Sequence, residues 1–156
     1  MKKIITIILL LILITFNYEN KIITNKTNIK DTKNEELGSI EIKEIVLRSE
    51  IKEGTDNNIL NQNVVGHVKN SSLKFNETII LAGHNDTVFK GLYRLKKGSV
   101  IELTIYGNNQ TYIVDYKKII YDNDYTNFKS EKNKLILITC TEDIKKRLII
   151  VAYLKV

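Results

Sequence analysis

The sequence predicts an all-β domain over residues 37–156, built as a β-sandwich or a closed β-barrel. Two observations predict this fold class. Apolar residues recur mainly with a period of two, and no window of the domain carries the period of a long amphipathic helix. Short segments rich in Ile, Val and Tyr are separated by Gly, Asn and Asp, which is typical of strands joined by tight turns.

Seven segments of the domain have the composition and pattern of strands. They cover residues 39–47, 78–83, 100–106, 111–116, 117–121, 135–139 and 147–154. The sequence YGNNQ at 106–110 joins two of them and predicts a hairpin turn. Because only the short segment TEDIKK separates the last two strands, we expect them to pair as a hairpin. Short helical turns are expected near residues 56–65, 87–95 and 123–130.

The N-terminal residues 1–16 predict a membrane segment. Lys2 and Lys3 precede 13 residues whose only polar members are Thr6 and Thr15. This run is shorter than the roughly 20 apolar residues of a spanning helix, but no small-residue cleavage site follows it. We therefore favour an uncleaved anchor with both lysines in the cytoplasm, which predicts a single-pass protein of the cell membrane with its domain outside. A signal peptide cleaved at an unusual site is the alternative.

Residues 17–36 are polar and have no clear period, so they are interpreted as a linker; a frayed first strand is the alternative. The chain has 24 Lys and Arg against 18 Asp and Glu, a net charge of +6. Because the lysines are scattered rather than clustered, no nucleic-acid partner is predicted. A single cysteine excludes an internal disulfide and a zinc site with two thiolates, and two histidines leave little for a metal cluster. We expect no cofactor and no metal.

Three residues near the ends of predicted strands are candidates for catalysis. Cys140 follows the apolar run LILIT, His84 follows another apolar run, and Arg147 opens the last strand. The predicted hairpin brings Cys140 and Arg147 to the same end of the sheet. Each residue has a structural alternative, namely an inert buried cysteine, a turn histidine and a solvated arginine. The other histidine, His67, is interpreted as structural or surface-exposed.

These residue types suit acyl transfer by a cysteine enzyme without a metal. A thiolate attacks a peptide carbonyl, and a nearby imidazole exchanges protons with the thiol and with the leaving amine. A guanidinium is rigid and permanently charged, so it can stabilise the oxyanion of the tetrahedral intermediate.

The same residues resemble the core motifs of the sortases, which are membrane-anchored cysteine transpeptidases of Gram-positive bacteria. The likeness is carried by LAGHND with His84, LILITC with Cys140 and RLIIVA beginning at Arg147, in that order along the chain. It extends through VFKGLYRLKKGSVIELT at 88–104. The GHND and VFKGL blocks are most similar to the class D group.

The resemblance implies a closed eight-stranded β-barrel, with a weak strand near residues 62–68 completing the count. It implies that Cys140 attacks the Thr–Gly bond of an LPXTG-like sorting signal on a secreted protein. His84 would serve as acid and base, and Arg147 would hold the signal and its oxyanion. Thr139 is expected to help position the substrate. An amine of a peptidoglycan precursor or of a pilin would then release the thioacyl intermediate.

Two other functions stay open at this point. One is a surface cysteine endopeptidase that uses water as acceptor, and the other is a non-enzymatic barrel that binds wall polymer or peptide. The loop between Cys140 and Arg147 is shorter than the larger loops of the family, which predicts a minimal groove wall. One sortase subclass binds calcium, but the acidic residues Asp122, Asp124 and Glu131 are interpreted here as part of a solvated loop.

Overall fold

The computed structural model describes residues 36–122, 128–143 and 145–156, which include eight strands. The strands are β1 (Glu36–Ile42), β2 (Leu47–Glu53), β3 (Val65–His67), β4 (Thr78–Ala82), β5 (Val100–Ile105), β6 (Asn108–Tyr121), β7 (Lys134–Cys140) and β8 (Lys146–Leu154). They close into a barrel in the order β1-β2-β3-β4-β7-β8-β6-β5. The all-β class and the eight-stranded barrel are therefore confirmed, and the sandwich is excluded.

The described residues do not include the predicted membrane segment 1–16. Of the predicted linker 17–36 they include only Glu36, which is the first residue of β1. Within residues 36–122, 128–143 and 145–156, no helix is long and apolar enough to span a membrane.

The first predicted strand, 39–47, is wrong as a single element. The structure divides it into most of β1, a 3-10 turn at Lys43–Ile45 and the first residue of β2. The run of buried apolar residues extends into the turn because Ile45 is itself buried, although the spacing of two breaks between Ile42 and Ile45. Val46 then reverses the chain with a φ of 54°. Strand β2 went unpredicted because Ser49, and not an apolar residue, is its middle inward-facing residue.

The hairpin turn predicted within residues 106–110 is confirmed, and it joins β5 to β6. Its loop consists of Tyr106 and Gly107 with φ values of 47° and 78°, as a type I′ turn requires. The predicted strands 111–116 and 117–121 are one long strand, β6, whose pairing with β8 shifts between Val114 and Tyr116. This bulge explains why the period appeared interrupted in the sequence.

The helical turns are short. A four-residue helix, α1 (Asn57–Leu60), begins at Asp56, whose carboxylate accepts a hydrogen bond from the Asn58 amide at 3.0 Å. A 3-10 turn forms at Leu92–Arg94. The third predicted turn, 123–130, lies mostly outside the described residues, and 128–130 form no helix. The weak strand expected near 62–68 is β3, which pairs in parallel with β2.

Apolar side chains cover both faces of the β4–β7–β8 part of the sheet. Inward-facing residues such as Leu81, Leu137 and Ile150 belong to the main core of the barrel. Outward-facing Ile136, Ile149 and Val151 form a second cluster, against which partly buried side chains of β4 and β6 pack. This explains why LILIT and RLIIVA are continuous apolar runs rather than alternating ones. The filled interior leaves the outer face of these strands as the surface available to a ligand.

Candidate active site

Cys140 and Arg147 are directly opposite each other at the end of the β7–β8 hairpin. Their Cα atoms are partners in the antiparallel register. Residues in such a pair point to the same face of the sheet with Cβ atoms about 5 Å apart. Alternation along β7 puts Leu137 and Thr139 inside the barrel, and Ile138 and Cys140 outside. The thiol is therefore on the outer face, and it is partly exposed.

His84 reaches the same edge because β4 runs parallel to β7. Ala82 is paired with Ile138, and the Gly83 amide continues the pairing with a 3.2 Å hydrogen bond to the Ile138 carbonyl. His84 therefore follows at the level of Cys140. Position 83 requires glycine, since a Cβ there would lie 2.6 Å from a methyl carbon of Val88.

The three predicted residues line one open cavity of about 400 Å³ on the outside of the barrel, called here the outer groove. Its lining consists of His84, Cys140 and Arg147 together with Thr55, Leu60, Val68, Ile80, Ala82, Gly83, Asp122, Phe128, Ile138 and Thr139. The mostly apolar floor comes from the outer face of β4 and β7. Far apart along the chain, the three side chains thus share one groove, as the sequence predicted.

Two polar residues hold the histidine and the arginine, and sequence reasoning assigned neither of them to the site. The Asn61 carboxamide oxygen lies 3.2 Å from the His84 Nε2 atom. The Asp122 carboxylate lies 2.7 Å from a terminal nitrogen of Arg147, whose other terminal nitrogen donates to the Lys146 carbonyl at 3.1 Å. Asn61 caps α1 and Asp122 follows β6, so only the folded barrel brings them to the groove.

Thr139 lies beside Cys140 but faces the interior. Its side chain is buried, and its hydroxyl donates a 2.8 Å hydrogen bond to the Gly83 carbonyl. This bond ties the end of β7 to the residue that precedes His84. The predicted role in substrate positioning stays a prediction, but the structure gives the hydroxyl a definite partner in the protein.

A smaller cavity of about 250 Å³, called here the side pocket, shares the lining residues Thr139 and Cys140 with the outer groove. Its other lining residues are Asn85, Phe89, Tyr93, Ile119, Thr141, Glu142 and Leu148. Neither His84 nor Arg147 is among them. Sequence reasoning did not find this pocket, because it combines residues from four separate parts of the chain.

The loop after Cys140 carries two carboxylates with different surroundings. Asp143 accepts a hydrogen bond from the Thr141 hydroxyl at 2.5 Å, and mainly this bond lowers the pKa of Asp143. The Thr141 amide in turn donates to the Lys146 carbonyl at 3.0 Å, which fixes the start of the loop. Glu142 is exposed, and within the described part of the chain its carboxylate makes no hydrogen bond or ion pair.

His67 lies apart from both cavities and is buried on β3, in agreement with its interpretation as a structural residue. Its Nδ1 atom is 2.8 Å from the Glu53 carboxylate, and its Nε2 atom is 2.8 Å from the Ser71 hydroxyl. Among residues 36–122, 128–143 and 145–156, no group of three or more His, Cys, Asp or Glu side chains is placed to hold a metal ion.

Comparison with known proteins matches the family model described as the sortase domain to residues 40–155. Sortase D of Bacillus subtilis (strain 168) is 38% identical over 120 residues, which cover 74% of this chain and 60% of that protein. The chain thus spans less than two thirds of the length of this relative. The likeness agrees with the class D similarity predicted from the GHND and VFKGL blocks.

Solved structures support the same relationship. A Clostridium perfringens Sortase D5 transpeptidase superimposes with a TM-score of 0.71 at 26% identity, covering 84% of this chain and 86% of that one. Clostridium perfringens sortase C, solved with the C-terminal cell wall sorting motif, gives a TM-score of 0.73 at 25% identity, covering 80% and 72% of the two chains.

Proposed function

Since this chain belongs to the sortase family, we propose that it is a cysteine transpeptidase with Cys140 as nucleophile, His84 as acid and base, and Arg147 as the oxyanion-binding cation. One observation carries the proposal. The partly exposed thiol, the imidazole and the guanidinium line a single open groove, although His84 and Cys140 are 56 positions apart in the sequence.

The proposed reaction begins when the Cys140 thiolate attacks the carbonyl carbon of the Thr–Gly bond in an LPXTG-like sorting signal. The carbonyl oxygen gains negative charge, which the Arg147 guanidinium stabilises. The C–N bond then breaks, and protonated His84 donates a proton to the departing amine. The acyl half stays on Cys140 as a thioester.

In the second half of the reaction, an amine attacks the thioester carbonyl and expels the thiolate of Cys140. Neutral His84 accepts a proton from the attacking nitrogen, which restores the thiolate and the imidazolium. The product is a new amide, and no cofactor is consumed.

The proposed donor is a secreted protein with a C-terminal sorting signal, and the proposed acceptor is an amine of a peptidoglycan precursor or of a pilin. The apolar floor of the outer groove, formed partly by Ile80 and Ile138, suits the leucine and proline of such a signal. A cell wall sorting motif is the molecule named with the structurally similar sortase C. An N-terminal anchor at residues 1–16 would keep the enzyme on the outer side of the cell membrane.

The proposal is tested with the full-length chain and a fluorogenic LPXTG-type peptide. Cys140→Ala is expected to abolish cleavage. Arg147→Lys keeps the charge but loses the forked donor geometry, so a loss of about 10²–10³-fold in kcat/KM is expected, as for removal of an oxyanion-binding donor. Arg48→Lys, the same substitution at an exposed position on β2, is the matched control and should match the wild type.

Each outcome separates the proposal from its alternatives. Cleavage by the Cys140→Ala variant would refute the mechanism. Cleavage that yields only the hydrolysed peptide at every concentration of added amine would identify an endopeptidase. Peptide binding that survives Cys140→Ser, with no thioester detected by mass spectrometry in the wild type, would identify a non-enzymatic binding module.

A further inference from the structure

The reaction proposed above needs two routes to the same sulfur atom. After the first step the acyl group occupies the outer groove as a thioester of Cys140, while the incoming amine must still reach its carbonyl carbon. The side pocket opens onto Thr139 and Cys140 from a part of the surface that excludes His84 and Arg147. It therefore offers a route that the bound acyl group does not fill.

We propose that the side pocket binds the accepting substrate as a primary amine on an apolar stem, and that the Glu142 carboxylate holds its ammonium group. This inference rests on the transpeptidase function proposed above. The chemistry corresponds to a lysine side chain, in which a flexible alkyl stem carries a cationic head.

The apolar part of the pocket suits such a stem. Phe89 and Leu148 form a buried apolar base, with relative exposures of 1% and 8%. Tyr93 and Ile119 stand at the rim with exposures of 67% and 61%. Large apolar side chains this exposed beside a reactive thiol indicate a surface that a partner covers.

The charge in the pocket complements an ammonium group. Glu142 is the lining carboxylate, and within the described residues it has no hydrogen bond or ion pair. Its neighbour Asp143 is already engaged by the Thr141 hydroxyl at 2.5 Å and by Lys146, whose Nζ lies 3.9 Å away. The loop thus leaves one carboxylate available, next to the nucleophile.

The role of Glu142 is binding and orientation, because a carboxylate stabilises the ammonium and does not itself create the nucleophile. The bound ammonium loses one proton to water. Its nitrogen then attacks the thioester carbon, the C–N bond forms and the C–S bond breaks. The second proton passes to His84 as thiolate returns to Cys140, so charge and protons balance.

The test compares amines that compete for the same thioester in the full-length chain, with an LPXTG-type peptide as donor. The probes are Nα-acetyl-lysine methylamide, glycinamide, which lacks the stem, and hydroxylamine, which is uncharged at neutral pH. Each kcat/KM is taken from the amide product by mass spectrometry. In the wild type, the lysine derivative should be preferred to glycinamide.

Glu142→Gln is expected to lower kcat/KM for the lysine derivative about fivefold relative to hydroxylamine, the size of an exposed ion pair. Asp143→Asn removes the same charge from the neighbouring residue and should leave this ratio within about twofold of the wild type. Ile119→Ser should reduce the preference for the lysine derivative over glycinamide.

Two results would overturn the inference. One is an unchanged ratio in Glu142→Gln, and the other is an equal fall in Asp143→Asn, which would indicate only the general charge of the loop. Both are distinguishable from failure of the proposed function, in which wild-type enzyme would transfer the peptide to none of the three amines, hydroxylamine included.

Discussion

The hydrogen bond from the Thr139 hydroxyl to the Gly83 carbonyl couples the two strand ends next to Cys140 and His84, the proposed nucleophile and base. The bond is 2.8 Å long, and Thr139 is 4% exposed. Thr139→Val keeps the branched shape of the side chain but removes the donor. We therefore expect the substitution to weaken both the stability of the barrel edge and the alignment of His84 with Cys140.

The magnitude follows from burial. Removing one partner of a buried hydrogen bond costs about 1–3 kcal/mol, because the remaining carbonyl loses its partner without regaining full hydration. In a domain of this size, 1 kcal/mol corresponds to about 4 °C in Tm. Thr139→Val should thus lower Tm by about 4–12 °C. The matched variant Thr139→Ser retains the hydroxyl and loses only a methyl group, so its Tm should fall less.

Two measurements on the same variants separate stability from catalysis. Thermal unfolding by circular dichroism gives Tm, and cleavage of the fluorogenic peptide well below Tm gives kcat/KM. We expect Thr139→Val to lose about tenfold in kcat/KM, since a small misplacement of a catalytic base is expensive in rate. Thr139→Ser should keep most of the activity. If Thr139→Val matched the wild type in both Tm and kcat/KM, the coupling inferred from this bond would be refuted.

Two further substitutions test carboxylates, one in the outer groove and one at the opposite end of β7. Asp122→Ala removes the half-exposed carboxylate that lies 2.7 Å from Arg147, and it should lower kcat/KM about 2–5-fold. It should have no further effect when added to Arg147→Lys, and a gain in activity would instead mean that Asp122 restrains the arginine. Glu131 has a lowered pKa, mainly because of its hydrogen bonds from Lys134 and Tyr153. A lowered folded-state pKa stabilises the fold above the ordinary value of 4.5, and this contribution is lost as pH falls through the folded pKa. Glu131→Gln should therefore lower Tm at neutral pH, with the difference from wild type shrinking in acid; a gap that is constant with pH would contradict this.

The period of apolar residues was enough to predict most of the strands, whereas the closed barrel followed from the family resemblance. The period failed where a buried residue lies in a turn or a polar residue lies in a strand. Buried Ile45 extended the apolar run of β1 into a 3-10 turn, which made two elements look like one. Ser49 instead concealed β2, because it is a polar residue at an inward-facing strand position. Its buried hydroxyl accepts a hydrogen bond from the Val65 amide at 3.2 Å. Such a partner, 16 residues away, leaves no local trace in the sequence.

The same distinction applies to the site. Cys140 and Arg147 were predictable as neighbours because a short hairpin sets their register, and β7–β8 pairing has this register. His84, in contrast, reaches them through a parallel pairing between β4 and β7, which are distant in sequence. Its position at the end of an apolar run made it a candidate, but its place beside Cys140 was carried mainly by the family resemblance. Neither spacing nor the family resemblance indicated Asn61 and Asp122, since each reaches its partner only in the folded barrel.

The alternation of a β-strand assigns two separate tasks to adjacent residues at the end of β7. Thr139 is buried on the inner face of the sheet, so this residue serves the fold through its bond to Gly83. Cys140, one residue later, points to the outer face and lines both the outer groove and the side pocket. A single strand end can therefore be stabilised from inside, while the proposed donor and acceptor approach it through two cavities. It follows that a one-residue shift in the β7 register would bury the thiol and expose the threonine, which makes the closed register of the barrel a condition for catalysis.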